Sequence, residues 1–144
     1  MVIDHPIFLE SIKFIRSHLG VNDLNYLEKK VLERLVHTSG DFSVQNLVNF
    51  SEGACEKGLQ ALKNGAPILT DTDMAAAAIK SMAENTTRNE VFSARMWFGE
   101  NNHIELTKTA YGLSEGWKEL SAINSGSKSP ICLLYTSPSP RDTG

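Results

Sequence analysis

Stretches with helical periodicity alternate along this chain with short apolar runs of strand length, and the connections between them are brief. That order restricts the fold to α/β, a parallel sheet flanked by helices, because a parallel strand can be followed by its neighbour only after a crossover that is usually helical. Phe8, Ile12, Ile15 and Leu19 step by four, three and four, which predicts an amphipathic helix with Asp4 as its N-cap and Gly20 as a left-handed stop. A second helix opens near Asn22 or Asp23, turns Leu24, Leu27, Val31 and Leu35 inward and stops by Gly40. Residues 51–62 read as a third, with Cys55, Leu59 and Leu62 inward and Asn64-Gly65 as its end. The run Ala66-Pro67-Ile68-Leu69-Thr70 is strand-like, and Asp71 or Thr72 then caps a helix holding Met74, Ala75 to Ala78, Ile79 and Met82. Residues 90–95 form a second strand candidate. Ala110, Leu113, Trp117 and Leu120 are the stripe of a further helix, after which Ala122-Ile123 returns to extended chain. Open parallel sheets bind ligands outside the carboxyl ends of their strands, and Thr70 and Asp71 fall at one such end.

The 144 residues suffice for one domain with a core, and 41% hydrophobic with 22% charged residues is ordinary globular composition. A formal net charge of -3 argues against a nucleic-acid surface, which needs clustered Lys and Arg to displace counterions. No basic segment precedes an apolar run at the start, and no stretch approaches the ~20 apolar residues that span a bilayer, so the expectation is a cytoplasmic chain with no membrane partner. Cys55 and Cys132 are too few and too far apart for a disulfide framework or a metal cluster. From Cys132 to Gly144 the chain is crowded with Pro and Ser and does not read as domain. It is either a disordered tail or the translation of a sequencing-library adapter; the second reading leaves a native domain over 1–131 and a fold incomplete at its C-terminus.

His37 closes the second helix in Arg34-Leu35-Val36-His37-Thr38-Ser39-Gly40. An imidazole, with an unperturbed pKa of roughly 6.5, exchanges a proton near neutrality; the structural alternative is a histidine capping the last carbonyls of its own helix. Arg34 lies three residues earlier, on the same helical face, so both side chains can address one ligand. Ser11, beside the apolar stripe of the first helix, approaches that face if the two helices pack. Asp71 and Asp73 could be read as a metal or acid/base pair, but carboxylates at a helix start are more often caps, and no metal is assigned. His5, His18 and His103 lack zinc spacing, and Ser39-Gly40-Asp41 lacks the strand-turn-helix setting of a hydrolase nucleophile.

Leu35 to Asp41, followed by Gly65-Ala66-Pro67-Ile68-Leu69-Thr70-Asp71-Thr72-Asp73-Met74, resembles the precorrin-8X methylmutase family. The likeness extends from Glu10-Ser11-Ile12 and Ile15-Arg16 through Thr107-Lys108-Thr109-Ala110 to Asn124-Ser125-Gly126. It implies an isomerase of cobalamin biosynthesis that moves a methyl group between neighbouring carbons of precorrin-8X or its cobalt form, giving hydrogenobyrinate or cobyrinate, with no cofactor. It also implies His37 as the catalytic acid-base residue, Ser11 and Arg34 as contacts to the tetrapyrrole substrate, and a homodimer at full length. Lys108 stands where many members have Arg, and Ala77-Ala78 where Gly is frequent. A carboxyl-terminal portion with a Pro-Val-Gly-Phe-Val type motif and a Glu-Ser-Lys is not in the chain.

Overall fold

The computed structural model describes residues 4–99, 107–123 and 131–133, and the chain divides into two compact units, Met1–Leu59 and Gln60–Gly144. His103 and the Asn124-Ser125-Gly126 motif lie outside the described residues, as do residues 134–144.

The first unit is built on a pair of helices. Helix α1 spans Pro6–His18 and α2 spans Tyr26–Ser39. Pro6 takes the first position of α1, where its missing N–H costs nothing, and the cap is His5 rather than Asp4: its Nδ1 accepts the Ile7 N–H at 3.2 Å. Leu19 leaves α1 in extended conformation, so Gly20 makes no left-handed stop and instead donates its N–H to Gln45 Oε1 at 3.2 Å. Asn25 opens α2 through a reciprocal capping box with Glu28, two to three residues later than the sequence predicts, because Asn22 is occupied accepting the Leu24 N–H. Gly40, at φ 68°, ends α2 where expected.

The seam between them is Ile12 and Ile15 against Leu32 and Val36, with Phe8, Leu19, Leu24, Phe42, Val44 and Val48 packed around it. Val31 and Leu35, the expected inward stripe, are exposed. The chain offers two apolar ridges one residue apart on α2, and choosing the second buries Glu33. Arg16 makes that possible: its Nε and Nη2 donate to the two Glu33 carboxylate oxygens at 2.8 and 3.0 Å. A 3-10 turn at Phe42–Asn46 and helix α3, Ala54–Lys63, follow. Helix α3 buries none of its residues; Cys55 and Leu62 are half-buried and Leu59 is exposed.

In the second unit β1 (Ile68–Thr70) lies between β2 (Val91–Ser93) and β3 (Ile131–Leu133), all parallel, in register Ile68 with Val91 and Ile131. Strand β3 includes Cys132 and Leu133, two residues past the position at which the sequence reading ends the domain. All three residues of β1 are buried, as a central strand covered on both faces requires. Helix α4 (Asp73–Glu84) connects β1 to β2, and α5 (Lys108–Ile123) lies between β2 and β3 in the chain. Thr72 caps α4 by accepting the Ala75 N–H at 3.1 Å. Met74 and Met82 face outward, and Ala83 is the residue α4 buries. Ala122 and Ile123 continue α5 and do not become extended. Asn89, which belongs to no sequence motif, is buried just before β2; its amide donates to the carbonyls of Leu62 and Ala66 at 2.9 and 2.8 Å, pinning the entry to β1.

The buried stripe of α5 is Gly112, Gly116 and Leu120, while Trp117 is exposed. A 3-10 turn at Ala94–Trp97 presses on that stripe, and a Cβ built on Gly112 would fall in hard contact with the Ala94 carbonyl oxygen and 2.8 Å from the Phe98 ring. At Gly116 the Cβ would lie 2.7 Å from the Trp97 ring. Glycine in a helix costs about 1 kcal/mol relative to alanine, so these two hold the close approach against propensity. Gly112→Ala should lower stability by about 2–3 kcal/mol in denaturant melts, since a backbone oxygen cannot step aside. Gly58→Ala in α3, with nothing within 4 Å of the new Cβ, should raise it by about 0.5–1 kcal/mol, and equal effects at both positions would contradict the packing.

Candidate functional site

His37 sits in the last turn of α2, one turn from the Gly40 stop. The capping work at this terminus is done by other groups: Gly40 N–H donates to Val36 O at 2.8 Å and Ser39 Oγ to Leu35 O at 2.8 Å. The imidazole is exposed, and its nitrogens have no hydrogen-bond partner among the described residues. His18, at the end of α1, is the contrasting case, with Nδ1 2.8 Å from the Phe14 carbonyl and 2.9 Å from Ser17 Oγ. His37 is therefore the histidine left available for chemistry in the α1–α2 pair.

It opens into a groove of about 560 Å³ lined also by Glu10, Ser11, Phe14, Ile15, Val36 and Phe42, a volume within the range of small-molecule sites. Ser11 and His37 thus share one cavity, as their placement on packed helices predicts. Arg34 does not line it. Phe8 stands between: its ring meets the imidazole edge-on at 4.8 Å between centroids, while the Arg34 guanidinium lies 3.9 Å from the same ring centroid. Guanidinium and imidazole are therefore no further apart than those two lengths laid end to end. The sequence pattern marks Phe8 only as core and misses that it joins the two candidate residues; only the angle between the helices makes that visible. Arg34 Nη2 donates to Asp4 Oδ1 at 3.2 Å across an exposed pair, which contributes little and exchanges readily.

The second unit holds the carboxylates. Asp73 is held below the ordinary carboxylate range by Ser93 and by Arg95, whose Nη1 donates at 2.9 Å. Asp71 caps nothing: Thr72 takes that role, and Asp71 Oδ1 is buried without a hydrogen-bond partner. Neither pairs with the other as an acid/base dyad. Burial, with Glu28 and Glu56 nearby, pushes the Cys55 thiol up and away from nucleophilic use. Among the described residues no three His, Cys, Asp or Glu side chains gather in a metal-holding group, and no helix is long and apolar enough to cross a membrane.

The model of the family described as precorrin-8X methylmutase matches residues 6–133. The chain belongs to the precorrin-8X methylmutase family. It is 26% identical over 106 residues to a cobalt-precorrin-8 methylmutase of Synechocystis sp., covering 64% of this chain and 49% of that protein. A cobalt-precorrin-8 methylmutase of Methanocaldococcus jannaschii is 34% identical over 68 residues, 46% of this chain and 32% of the relative. The crystal structure of precorrin-8x methyl mutase from Thermus thermophilus superposes with a TM-score of 0.64 at 27% identity, over 78% of this chain and 55% of that one. The chain thus spans about half, or less, of the length of these methylmutases.

Arg16 and Glu33, paired across the α1–α2 seam, carry a pH signature. Hydrogen bonds from Arg16 hold the Glu33 carboxyl below the usual glutamate range, against the opposing effect of its burial. A carboxyl depressed in the folded state stabilises fully above its unfolded pKa of about 4.3 and ceases to do so as pH falls through its lower folded value. The Glu33 side chain is 6% exposed but Arg16 is 55% exposed, so solvent screening limits the contribution to about 1–2 kcal/mol. Glu33→Gln should be less stable by about that amount at pH 7 and lose less than the parent between about pH 5 and pH 2 in thermal melts; parallel curves would contradict the pairing.

Proposed function

We propose that this protein is the methylmutase of corrin biosynthesis, moving a methyl group between neighbouring carbons of precorrin-8X, or of cobalt-precorrin-8, to give hydrogenobyrinate or cobyrinate. His37 is the proton donor and acceptor, and Ser11 and Arg34 contact the substrate. The observation that carries this reading is an unpartnered, solvent-facing imidazole in a groove with Ser11, joined to Arg34 through one aromatic ring.

In this mechanism the imidazolium gives its proton to the macrocycle, which draws electrons from the carbon skeleton beside the migrating methyl. The methyl leaves one ring carbon with its bonding pair and bonds to the next, and the proton returns to the same imidazole. Atoms and electrons balance without any oxidant or reductant, so the reading includes no cofactor. An imidazole, with one nitrogen able to donate and the other to accept, suits a step in which one group must both give and retake a proton. Ser11 offers a hydroxyl that both donates and accepts within the same groove. Arg34 recognises a carboxylate arm bidentately, trading its exposed pair with Asp4 for the substrate at small cost. The working protein is cytoplasmic and a homodimer in this reading.

With the gene carried to its relatives' length, precorrin-8X should convert to hydrogenobyrinate, followed by visible absorbance. His37→Ala should reduce turnover by about 10²–10⁴-fold while leaving hydrogenobyrinate affinity within about threefold. Undiminished turnover in that variant would remove His37 from the chemistry. Tight binding with no turnover by the parent would instead make the protein a non-catalytic corrinoid binder.

A further inference from the structure

On the Arg34 side of Phe8, the α1–α2 pair carries a second groove of about 470 Å³ whose walls hold four cations, Lys13 and Arg16 from α1, Lys30 and Arg34 from α2. A neighbouring cavity of about 660 Å³ shares Arg16, Lys30 and Glu33 and extends the basic surface to Lys29. Only two acids line the groove of about 470 Å³, and both are engaged, Glu33 by Arg16 and Asp4 by Arg34. Neither the Lys13 nor the Lys30 ammonium forms a salt bridge among the described residues; Lys30 acts on Glu33 through its charge alone and lies 5.4 Å from the Tyr26 ring centroid. A local excess of positive charge has thus been gathered on one face of a chain whose formal net charge is -3.

We propose that this groove binds the ionised carboxylate arms of the macrocycle, with Lys13 and Lys30 as specificity-determining contacts beyond Ser11 and Arg34. The proposal rests on the methylmutase reading and extends it. Two ammonium groups on opposite walls, each a single-point donor, suit separate acidic arms on one rigid body better than a compact anion that all donors must surround. Phe8 places the groove beside the chemistry, because its ring touches both Arg34 and His37. A substrate core above His37 can then send arms across the Phe8 edge into the basic groove. Arg16 is held by Glu33 in a bidentate pair and shapes the wall without needing to be released. The field of the cluster also steers a polyanion toward the site, an effect that salt weakens.

The test uses this chain, a Lys13→Gln/Lys30→Gln double variant and three probes: hydrogenobyrinate, its fully methyl-esterified form, and benzenehexacarboxylate as a polycarboxylate without a corrin ring. Thermal melts of the two proteins should differ only slightly, since both lysines are exposed and Lys30 gives up only its approach to the Tyr26 ring and its charge near Glu33. The variant should bind hydrogenobyrinate about tenfold more weakly at low salt and show a flatter salt dependence. The esterified form should bind both proteins alike. Equal hydrogenobyrinate affinity in the two proteins would overturn the groove while leaving the methylmutase reading intact. Failure of both proteins to bind hydrogenobyrinate, with benzenehexacarboxylate bound by the parent and lost in the variant, would overturn the methylmutase reading and keep the anion groove. Binding of neither probe by the parent would overturn both.

Discussion

The Arg16–Glu33 pair is the interaction on which the first unit turns. Helix α2 presents two apolar ridges one residue apart, and only one of them carries a carboxylate into the seam with it. Burying a charge is costly unless it is paired and hydrogen-bonded, and the two Arg16 donors meet that condition. With Glu33 accommodated, Leu32 and Val36 face Ile12 and Ile15, and the rotation of α2 about its axis is set. That rotation turns Arg34 and His37 outward along one edge, where Phe8 of α1 meets both. The site is thus a consequence of how the helix pair resolves its one buried charge.

The same geometry separates two kinds of chemistry on either side of a phenyl ring. On one side His37 and Ser11 share a cavity whose other walls are apolar apart from Glu10; on the other, cations outnumber acids. The polycarboxylate proposed as substrate would suit this division, with its conjugated core beside the imidazole and its acidic arms against the cations. In the proposed reading, arm recognition outside the His37 groove keeps the cluster of cations apart from the imidazole assigned the proton transfer.

Much of this is legible in the order of the residues alone. The alternation of elements, the parallel order implied by it and the Gly40 stop all follow from local residues, and the shared face of Arg34 and His37 follows from their spacing. The departures have tertiary causes. The inward ridge of α2 lies one residue from the predicted one because the choice depends on Arg16, seventeen residues away. Asp4 yields the α1 cap to His5 because Pro6 fixes where the helix begins. Gly112 and Gly116 form the packing face of α5 without announcing it, since a missing side chain leaves no hydrophobic signal, and only the nearness of Ala94, Trp97 and Phe98 explains them. Ser11 and His37 fall together as the helix packing requires, whereas the Phe8 bridge and the basic groove depend on an interhelical angle that no spacing encodes.

Family membership and the geometry of the helix pair are the two supports of the proposed reaction. The assignment of His37 as the acid-base group requires that its free nitrogens face the bound pigment. Carbethoxylation of histidines in this chain, read by peptide mass with and without saturating hydrogenobyrinate, addresses that requirement without turnover. His37 should react readily in the free chain, faster than the hydrogen-bonded His18, and become protected when the corrinoid is present. Equal modification of His37 in both conditions, under saturation confirmed by absorbance, would place the pigment elsewhere and contradict the account.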